Sequence, residues 1–369
     1  MSFSTTLIAW NRVGVVFIGL ILGGCAGAPL LHDSSKEPPL ISVPAMGDAA
    51  RDKSVRFRDI FCAVLESRKE TIPDYRHCNT ALANTNPNPP AQEKPVHLGI
   101  ARHPLKLVFV PGLGWDCFSD WINAGKTAQE HLRQYGFDMV VLDTDGLADV
   151  KINATIIRDS ILALPYETPY ANIVLVGYSK GAIDALQAVV DYPEIHHRLA
   201  AVVSLAGVVG GSPLANDATD NQVNLMRYFP GAKCEPAGEG ALQSLKPAVR
   251  QRWLAENPLP DRLLYYSLIT LPEPDRISIL LRSSYTKLSQ VDTRNDGQLI
   301  FYDQFIPGSF LLGYLNADHW AAAVPIARHH GLVDALFLEH NAFPREAMLE
   351  ALMRMIDEEK EHTSVTDPL

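Results

Sequence analysis

A serine between two glycines is the residue of this sequence whose surroundings most clearly indicate chemistry. Ser179 stands in Gly-Tyr-Ser-Lys-Gly, after the aliphatic run Ile-Val-Leu-Val and before residues that recur at helical spacing. A strand, a sharp turn and a helix in this order form a nucleophile elbow, which exposes the serine hydroxyl. Side chains at positions 177 and 181 would collide with the neighbouring strand and helix, which explains the two glycines. The pattern predicts that Ser179 is a nucleophile.

A nucleophilic serine needs a general base. His319, in Asn-Ala-Asp-His-Trp, follows the last predicted strand and precedes an apolar segment, residues 320–326, which we predict to be a helix. This is where the base of such an elbow belongs. Four other histidines lie in polar helical stretches and are expected at the surface: His196, His197, His329 and His330.

The acid that orients the base has several candidates, namely Asp292, Asp296, Asp303 and Asp318. Asp318 adjoins His319, and adjacent side chains on a loop rarely point at each other. Asp303 follows residues 297–302, which we predict to be a strand, and the end of a strand suits a triad acid. Asp296 stands in Asn-Asp-Gly, a combination that any tight turn also prefers. These local arguments leave Asp296 and Asp303 open.

An oxyanion hole requires backbone N–H groups beside the nucleophile. Lys180 directly follows the serine, and Leu113 lies in the Pro-Gly-Leu-Gly turn after an earlier predicted strand, so these two residues are the predicted donors. The Lys180 side chain could attract an anionic group or face solvent, and the sequence does not decide between them. No Cys or His pair has metal-ligand spacing and no acidic loop is present, so we expect no metal and no cofactor.

The elements that must position these residues alternate between strand and helix. Aliphatic runs predict strands at residues 105–110, 138–142, 173–176, 199–205 and 263–269. Alternation of this kind predicts the α/β class, with a mostly parallel central sheet flanked by helices. We assign residues 100–345 to this domain, with an insertion at about 211–260 over the active face. Residues 346–369 are predicted to be a charged C-terminal tail, which is expected to fray after Met355.

The N-terminal part carries export signals. The apolar run 13–22 is too short to cross a bilayer, which takes about 20 residues, so residues 1–24 are predicted to be a signal peptide. Gly-Gly-Cys at its end resembles a bacterial lipobox, which implies lipidation of Cys25 and a membrane anchor. Ala26 follows, which favours the outer membrane if the organism is Gram-negative. Residues 25–50 read as a tether, and residues 51–83 as a helical extension with five apolar residues on one face: Phe57, Ile60, Phe61, Val64 and Leu65.

Export also predicts disulfides, because the cysteines other than Cys25 form an even set of four. We predict Cys62–Cys78, which closes a short loop on one helical unit, and Cys117–Cys234, which would pin the insertion beside the oxyanion turn. The net charge of −10, with no basic cluster, argues against nucleic acid as a partner. The oligomeric state is not predicted.

Three motifs together resemble the α/β-hydrolase superfamily, and within it the bacterial lipases and esterases. They are Val-Phe-Val-Pro-Gly-Leu-Gly, Val-Gly-Tyr-Ser-Lys-Gly-Ala, and the pair Asn-Asp-Gly with Asp-His-Trp. The resemblance implies the α/β-hydrolase fold with a lid-like insertion. In those lipases Asn-Asp-Gly carries the acid, and its separation from the histidine is similar to 319 − 296 = 23. This favours Asp296 over Asp303. Their acidic calcium ligand would fall on Ala321, so the resemblance implies no calcium here.

The expected function is hydrolysis of a small-molecule or lipid-like carboxylic ester at the cell envelope through an acyl-enzyme. A thioesterase or acyltransferase on the same triad is the alternative within this chemistry, since a fold does not determine a substrate. A non-catalytic lipoprotein that uses the fold as a binding module is the alternative outside it. A degenerate relative would be expected to lose triad positions, whereas all three are filled here.

Overall fold

Six parallel strands form the centre of the molecule. The computed structural model describes residues 52–83, 94–115, 124–165, 171–218, 240–325 and 342–366. The strands are ordered β2-β1-β3-β4-β5-β6 across one sheet, and every neighbouring pair is parallel. They span Lys106–Val110 (β1), Asp138–Val141 (β2), Ile173–Tyr178 (β3), Leu199–Leu205 (β4), Tyr265–Thr270 (β5) and Phe310–Leu315 (β6). This confirms the predicted α/β-hydrolase fold.

Helices cover both faces of the sheet, because its central strands are apolar on both sides. Every residue of β3 is buried, as expected of a strand packed on two faces. The helices are Ser54–Arg68 (α1), Cys78–Ala81 (α2), Ala124–Gln134 (α3), Val150–Ala163 (α4), Lys180–Asp191 (α5), Leu214–Asp217 (α6), Ala241–Ser244 (α7), Pro247–Glu256 (α8), Arg282–Leu288 (α9) and Arg345–Thr366 (α10). α1, α3 and α10 pack on one face, and α4 and α5 on the other. No helix in the described ranges is long and apolar enough to span a membrane.

The N-terminal extension is part of this core. All five residues of the predicted apolar face of α1 are buried, and they pack against α10 and β6. The predicted disulfide Cys62–Cys78 joins α1 to α2 across 16 residues. A cross-link of that span stabilises a fold by about 3 kcal/mol through loss of unfolded-chain entropy. The predicted pair Cys117–Cys234 and the predicted lipidation site Cys25 lie outside the described residues.

The C-terminal segment is a packed helix rather than a fraying tail. α10 is buried from Ala347 to Asp357, and it runs to Thr366. The charge of the segment does not prevent burial because the buried charges are paired. Glu350 accepts hydrogen bonds from Arg354 (2.7 Å) and shares one with His131 (2.8 Å). The prediction of a tail is therefore wrong for the buried part of this helix.

Two further expectations about local structure are also wrong. Residues 297–302 form a turn that leads into a short 3-10 helix, Phe301–Gln304, and the sixth strand is Phe310–Leu315, which our pattern analysis missed. Leu299, Ile300 and Phe301 are all buried, so this apolar run reflects their burial in the core and does not indicate a strand. Residues 320–325 form turns, and no helix is present in this described part of the segment.

The insertion at about 211–260 is described at both of its ends. Ser212 N–H donates to the Leu245 carbonyl at 2.8 Å, which joins the two ends. Leu242 and Leu245 pack with Ile183 of the nucleophile helix and with Leu113 of the oxyanion turn. These ends therefore contact the elements around Ser179, while residues 219–239 lie outside the described residues.

Candidate active site

Ser179 occupies a strained turn between β3 and α5. Its backbone angles are φ 54° and ψ −121°, in the left-handed region that side chains usually avoid. A Cβ at Gly177 would lie 2.4 Å from Ala182 Cα, and one at Gly181 would lie 2.1 Å from the Val110 carbonyl oxygen. Strain of this kind costs about 1–3 kcal/mol and persists only where the surroundings enforce it. The two glycines allow the tight approach that presents the Ser179 hydroxyl.

His319 lies on the loop after β6 and reaches the serine. Its Nε2 is 2.9 Å from Ser179 Oγ and its Nδ1 is 2.8 Å from Asp296 Oδ2. The His319 backbone N–H also donates to the Asp296 carbonyl at 3.0 Å, so the two loops are joined at backbone and side chain. The Tyr178 hydroxyl donates to the His319 carbonyl at 2.8 Å, and the two rings lie 5.4 Å apart. The structure thus brings together the three residues that the sequence analysis favoured.

Asp296 is fully buried, and its two carboxylate oxygens have different hydrogen-bond partners. Oδ1 accepts from the backbone N–H groups of Gln298 (2.8 Å) and Leu299 (2.6 Å), which closes the turn. Oδ2 faces His319. Gly297, at φ 88°, provides the left-handed conformation that the turn needs. Oδ1 therefore closes the turn expected of Asn-Asp-Gly, and Oδ2 makes the contact with His319 that the triad acid requires.

The alternative acid, Asp303, lies elsewhere. Its backbone carbonyl accepts from Gly210 N–H at 2.7 Å, and no hydrogen bond joins its carboxylate to a described residue. Burial raises the pKa of Asp303 to about 7. Since His319 Nδ1 is already paired with Asp296, Asp303 does not fit the role of orienting acid.

The turn after β1 lies against the nucleophile. A Cβ at Gly112 would be 2.9 Å from Ser179 Cβ, so only glycine allows this approach. Gly114 has a φ of 67°, and Trp115 N–H closes the turn on the Gly112 carbonyl at 3.3 Å. Among the described residues, neither Leu113 N–H nor Lys180 N–H donates a backbone hydrogen bond outside regular structure. Lys180 follows Ser179 directly, and Leu113 lies between the two glycines of the turn that approaches Ser179.

The sequence left open whether the Lys180 side chain attracts an anionic group of a ligand or faces solvent, and the structure shows neither. It is 1% exposed, and its Nζ is 2.9 Å from both carboxylate oxygens of Asp184, one helical turn later. Asn153 of α4 donates to the same carboxylate at 2.8 Å. Burial raises the pKa of Asp184, and Lys180 and Asn153 oppose that shift. The i, i+4 spacing was the one sequence signal for this pair.

Asp318 is a second buried carboxylate, adjacent to His319 in sequence, and its hydrogen-bond partners are other residues. It accepts from Ser278 N–H (2.9 Å), from the Ser278 hydroxyl, and from Ala321 N–H (2.8 Å). Burial raises the pKa of Asp318, against these hydrogen bonds. These contacts join the loop that carries His319 to Ser278, and the His319 ring is hydrogen-bonded to Asp296 instead.

Sequence analysis missed two other neighbours of Asp296. The Thr270 hydroxyl is 2.6 Å from Asp296 Oδ2, and Gln304 contacts Thr270 through both ends of its amide. The position of Thr270 at the carboxyl end of β5 was the only available signal.

His196 was misassigned to the surface: it is buried, with its ring against the Val189 carbonyl and Arg262. His197 is exposed, and His329 and His330 lie outside the described residues.

Within the described residues, neither a metal cluster nor the apolar cavity described here includes a triad residue. In the part of the chain that the structure describes, no group of three or more His, Cys, Asp or Glu side chains could hold a metal ion. An apolar cavity lies on the face covered by α3 and α10, lined in part by Phe109, Trp115, Met139 and Met348. No triad residue lines it, so we do not assign it to the substrate.

Comparison with known proteins finds similar chains among solved structures. The chain is 34% identical to the metagenomic carboxyl esterase MGS0156, over 94% of this chain and 99% of that chain, with a TM-score of 0.77. The mature Bacillus licheniformis lipase BlEst2 is 21% identical, over 66% of this chain and 94% of that chain, with a TM-score of 0.49. EstA from Clostridium botulinum is 11% identical, over 82% and 98%, with a TM-score of 0.49. No protein-family model and no curated protein matches the chain.

The parallel sheet, the strained elbow after β3 and the Ser179–His319–Asp296 hydrogen bonds define a protein of the α/β-hydrolase class. Within that class, the chain belongs to the family of α/β-hydrolases that includes the carboxyl esterase MGS0156. This relationship supports hydrolase activity.

Proposed function

We propose that the protein is a serine hydrolase of carboxylic esters that works through an acyl-enzyme. The observation that carries the proposal is the chain of hydrogen bonds from Asp296 through His319 to Ser179, at 2.8 and 2.9 Å. Serine, base and acid in this order have the geometry of an activated nucleophile. The similarity to a carboxyl esterase supports an ester as the substrate.

Acylation begins when Ser179 Oγ attacks the ester carbonyl carbon and His319 Nε2 takes the hydroxyl proton. The imidazolium that forms is stabilised by the Asp296 carboxylate at Nδ1. The negative charge on the former carbonyl oxygen is stabilised by the N–H groups of Leu113 and Lys180. Loss of one donor of this kind usually costs about 100- to 1,000-fold in kcat. The intermediate then expels the alcohol, which takes its proton from His319, and leaves an ester on Ser179.

Deacylation repeats these steps with water. His319 Nε2 removes a proton from a water molecule that attacks the acyl carbon, and the second tetrahedral intermediate uses the same two N–H groups. Its collapse returns the proton from His319 to Ser179 Oγ and releases the carboxylic acid. The imidazole therefore serves as base and then as acid in each half of the cycle, with no net change in its protonation.

A fluorophosphonate probe tests the proposal because it reacts only with an activated serine. Wild type is expected to be labelled and to hydrolyse p-nitrophenyl esters, and Ser179→Ala to lose both. Ser284→Ala is the matched control, since Ser284 is also half-buried and its hydroxyl bonds only to the Leu281 carbonyl. A folded wild type that is neither labelled nor active would favour a binding module instead. A series of acyl chain lengths then defines the substrate class.

The location of the protein is a separate proposal that rests on sequence alone. The short apolar run and Gly-Gly-Cys support export, lipidation of Cys25 and attachment to the cell envelope. Cys25→Ser is expected to leave an unprocessed precursor without lipid, detected by mass spectrometry and by metabolic labelling with palmitate. Normal cleavage at the same bond and release of that variant would contradict the proposal.

A further inference from the structure

A threonine at the end of β5 contacts the carboxylate oxygen that faces His319. Asp296 Oδ2 has two close donors, His319 Nδ1 at 2.8 Å and Thr270 Oγ1 at 2.6 Å, and Gln304 Nε2 makes a longer contact with it at 3.5 Å. Building on the proposed function, we propose that Thr270, oriented by Gln304, is a positioning residue that sets the place and the basicity of the triad acid. Among the described residues, no hydrogen bond joins Thr270 or Gln304 to Ser179 or His319, so Thr270 acts through Asp296 and Gln304 acts mainly through Thr270.

The backbone of Thr270 cannot easily move. It is the last residue of β5, which pairs with β4 on one side and with β6 on the other, where Thr270 aligns with Leu315. The side chain is fully buried, and a branched Cβ restricts it to few rotamers. The hydroxyl therefore reaches Asp296 from a rigid element, whereas Asp296 itself stands on a loop.

Gln304 determines where the hydroxyl proton points. Its Oε1 accepts from Thr270 N–H at 2.8 Å and its Nε2 donates to the Thr270 carbonyl at 3.1 Å. These two bonds set the orientation of the amide, because the reversed amide would oppose donor to donor and acceptor to acceptor. Gln304 is itself buried, and its own carbonyl accepts from the Ser204 hydroxyl at 3.0 Å.

With the amide in this orientation, Thr270 Oγ1 lies between two acceptors. It is 2.6 Å from Asp296 Oδ2 and 2.9 Å from Gln304 Oε1, and it has only one proton to donate. The carboxylate is closer and charged, so the proton goes to Asp296. Because the Gln304 amide is uncharged, it competes weakly for this proton, and the Thr270 hydroxyl donates to Asp296.

A donor on the same oxygen as His319 has a predictable electrostatic effect. The Thr270 hydroxyl partly offsets the negative charge on Asp296 Oδ2. Without this hydroxyl, the carboxylate stabilises the His319 imidazolium more strongly. The acid limb of the pH dependence of kcat/KM should then move to higher pH. Asp318 and Tyr178 are the other titratable groups that interact with Asp296, and the variants below leave both in place.

The first test compares Thr270→Val, which removes the hydroxyl and keeps the shape, with Thr270→Ser, which keeps the hydroxyl. We expect Thr270→Val to lose roughly ten- to a hundredfold in kcat with KM changed less than about twofold, and to shift the acid limb upward. Thr270→Ser should stay within about threefold of wild type. Ser267→Ala is the control, because it removes another buried hydroxyl of β5 that bonds to Ser309 and Ile306 N–H.

The second test asks whether Gln304 acts through Thr270. Gln304→Met keeps the length of the side chain and removes its amide, so it should reproduce the loss in kcat of Thr270→Val. In a double-mutant cycle, Gln304→Met should add little to Thr270→Val. Full additivity would overturn the role of Gln304. A wild-type pH profile in Thr270→Val, or an equal loss in Ser267→Ala, would overturn the role of Thr270.

A third measurement separates this inference from the proposed function. The proton on His319 Nδ1, hydrogen-bonded to Asp296, can be followed by its low-field NMR resonance, assigned by its loss in His319→Ala, without any substrate. We expect Thr270→Val to shift it and Thr270→Ser to leave it in place. A shifted resonance in a protein without esterase activity would refute only the function, whereas an unshifted one in an active enzyme would refute only the inference.

Discussion

Two buried aspartates stand beside His319, one adjacent to it in sequence and one far from it, and they have different structural roles. Asp318 is the residue next to His319, and Asp296 is 23 residues away, yet only Asp296 contacts the imidazole. Both carboxylates are 0% exposed. The difference lies in which donors their oxygens meet. Asp318 accepts from Ser278 and Ala321, which belong to the surrounding loops. Asp296 also accepts from backbone N–H groups at Oδ1, but its Oδ2 accepts from His319 and Thr270.

This contrast shows that a buried carboxylate can hold a loop or orient a ring, and that burial alone does not distinguish the two. Burial raises the pKa of Asp318, and its three hydrogen bonds to Ser278 and Ala321 oppose that rise. Removing such a group should affect mainly the loop and the stability of the fold. Removal of the charge on Asp296 should affect mainly the reaction. The following variants test that distinction.

Asp296→Asn should have the largest effect on turnover. An amide keeps the shape of the side chain but cannot stabilise the imidazolium, so we expect kcat to fall about a thousandfold or more while the protein stays folded. Ester hydrolysis measures kcat, and circular dichroism shows whether the variant is folded. Turnover near that of wild type would remove Asp296 from the triad.

Asp318→Asn should have the opposite result, with a larger effect on stability than on turnover. One of its oxygens becomes an NH₂ group that faces N–H or O–H donors of Ser278 or Ala321, so a buried donor loses its partner. We expect the free energy of unfolding to fall by about 1–3 kcal/mol, with kcat reduced by no more than about tenfold at a temperature where the variant is folded. Urea denaturation checks the stability. A thousandfold loss of kcat with unchanged stability would contradict the comparison.

Ser278→Ala should produce a milder version of the same effect. It removes one donor to Asp318 but leaves the two backbone N–H groups in place. We expect a loss of about 1 kcal/mol in stability and a change in kcat within about threefold. Ser284→Ala, which lies on the neighbouring helix α9, is the control. A kinetic effect as large as that of Asp318→Asn would show that the hydroxyl carries most of the positioning.

Asp303→Asn should leave turnover near wild type and change the pH dependence of stability. The folded-state pKa of about 7 lies above the unfolded value of about 3.9, so the folded protein keeps a proton that the unfolded chain has lost. Wild-type stability therefore falls as pH rises through this window. Because Asp303 is partly exposed, we expect the variant to be more stable by about 1–2 kcal/mol at pH 8 and nearly unchanged at pH 4.

Urea titrations at the two pH values check this expectation, with Asp261→Asn as the exposed control. Equal stability of Asp303→Asn and wild type at pH 8 would contradict the pKa assignment. A large loss of turnover in Asp303→Asn would instead return this residue to the catalytic network.

Much of the nucleophile side of the site was predictable because it depends on local geometry. The two glycines around Ser179 are required within one turn, and the apolar run before it is buried throughout β3. The apolar face of α1 follows in the same way from helical spacing. The preference for Asp296 over Asp303 came from resemblance to a family, since both local arguments were acceptable.

The sequence by itself determined the elbow, the α/β class and the face of α1, because neighbours along the chain enforce them. Only the tertiary structure decided which aspartate meets His319, since that depends on how the ends of β5 and β6 and the loop of Asp296 come together. The same holds for the buried Lys180–Asp184 pair and for the hydroxyl of Thr270. The direction of a hydrogen bond between residues far apart in the chain is set by packing, and no periodicity in the sequence encodes it.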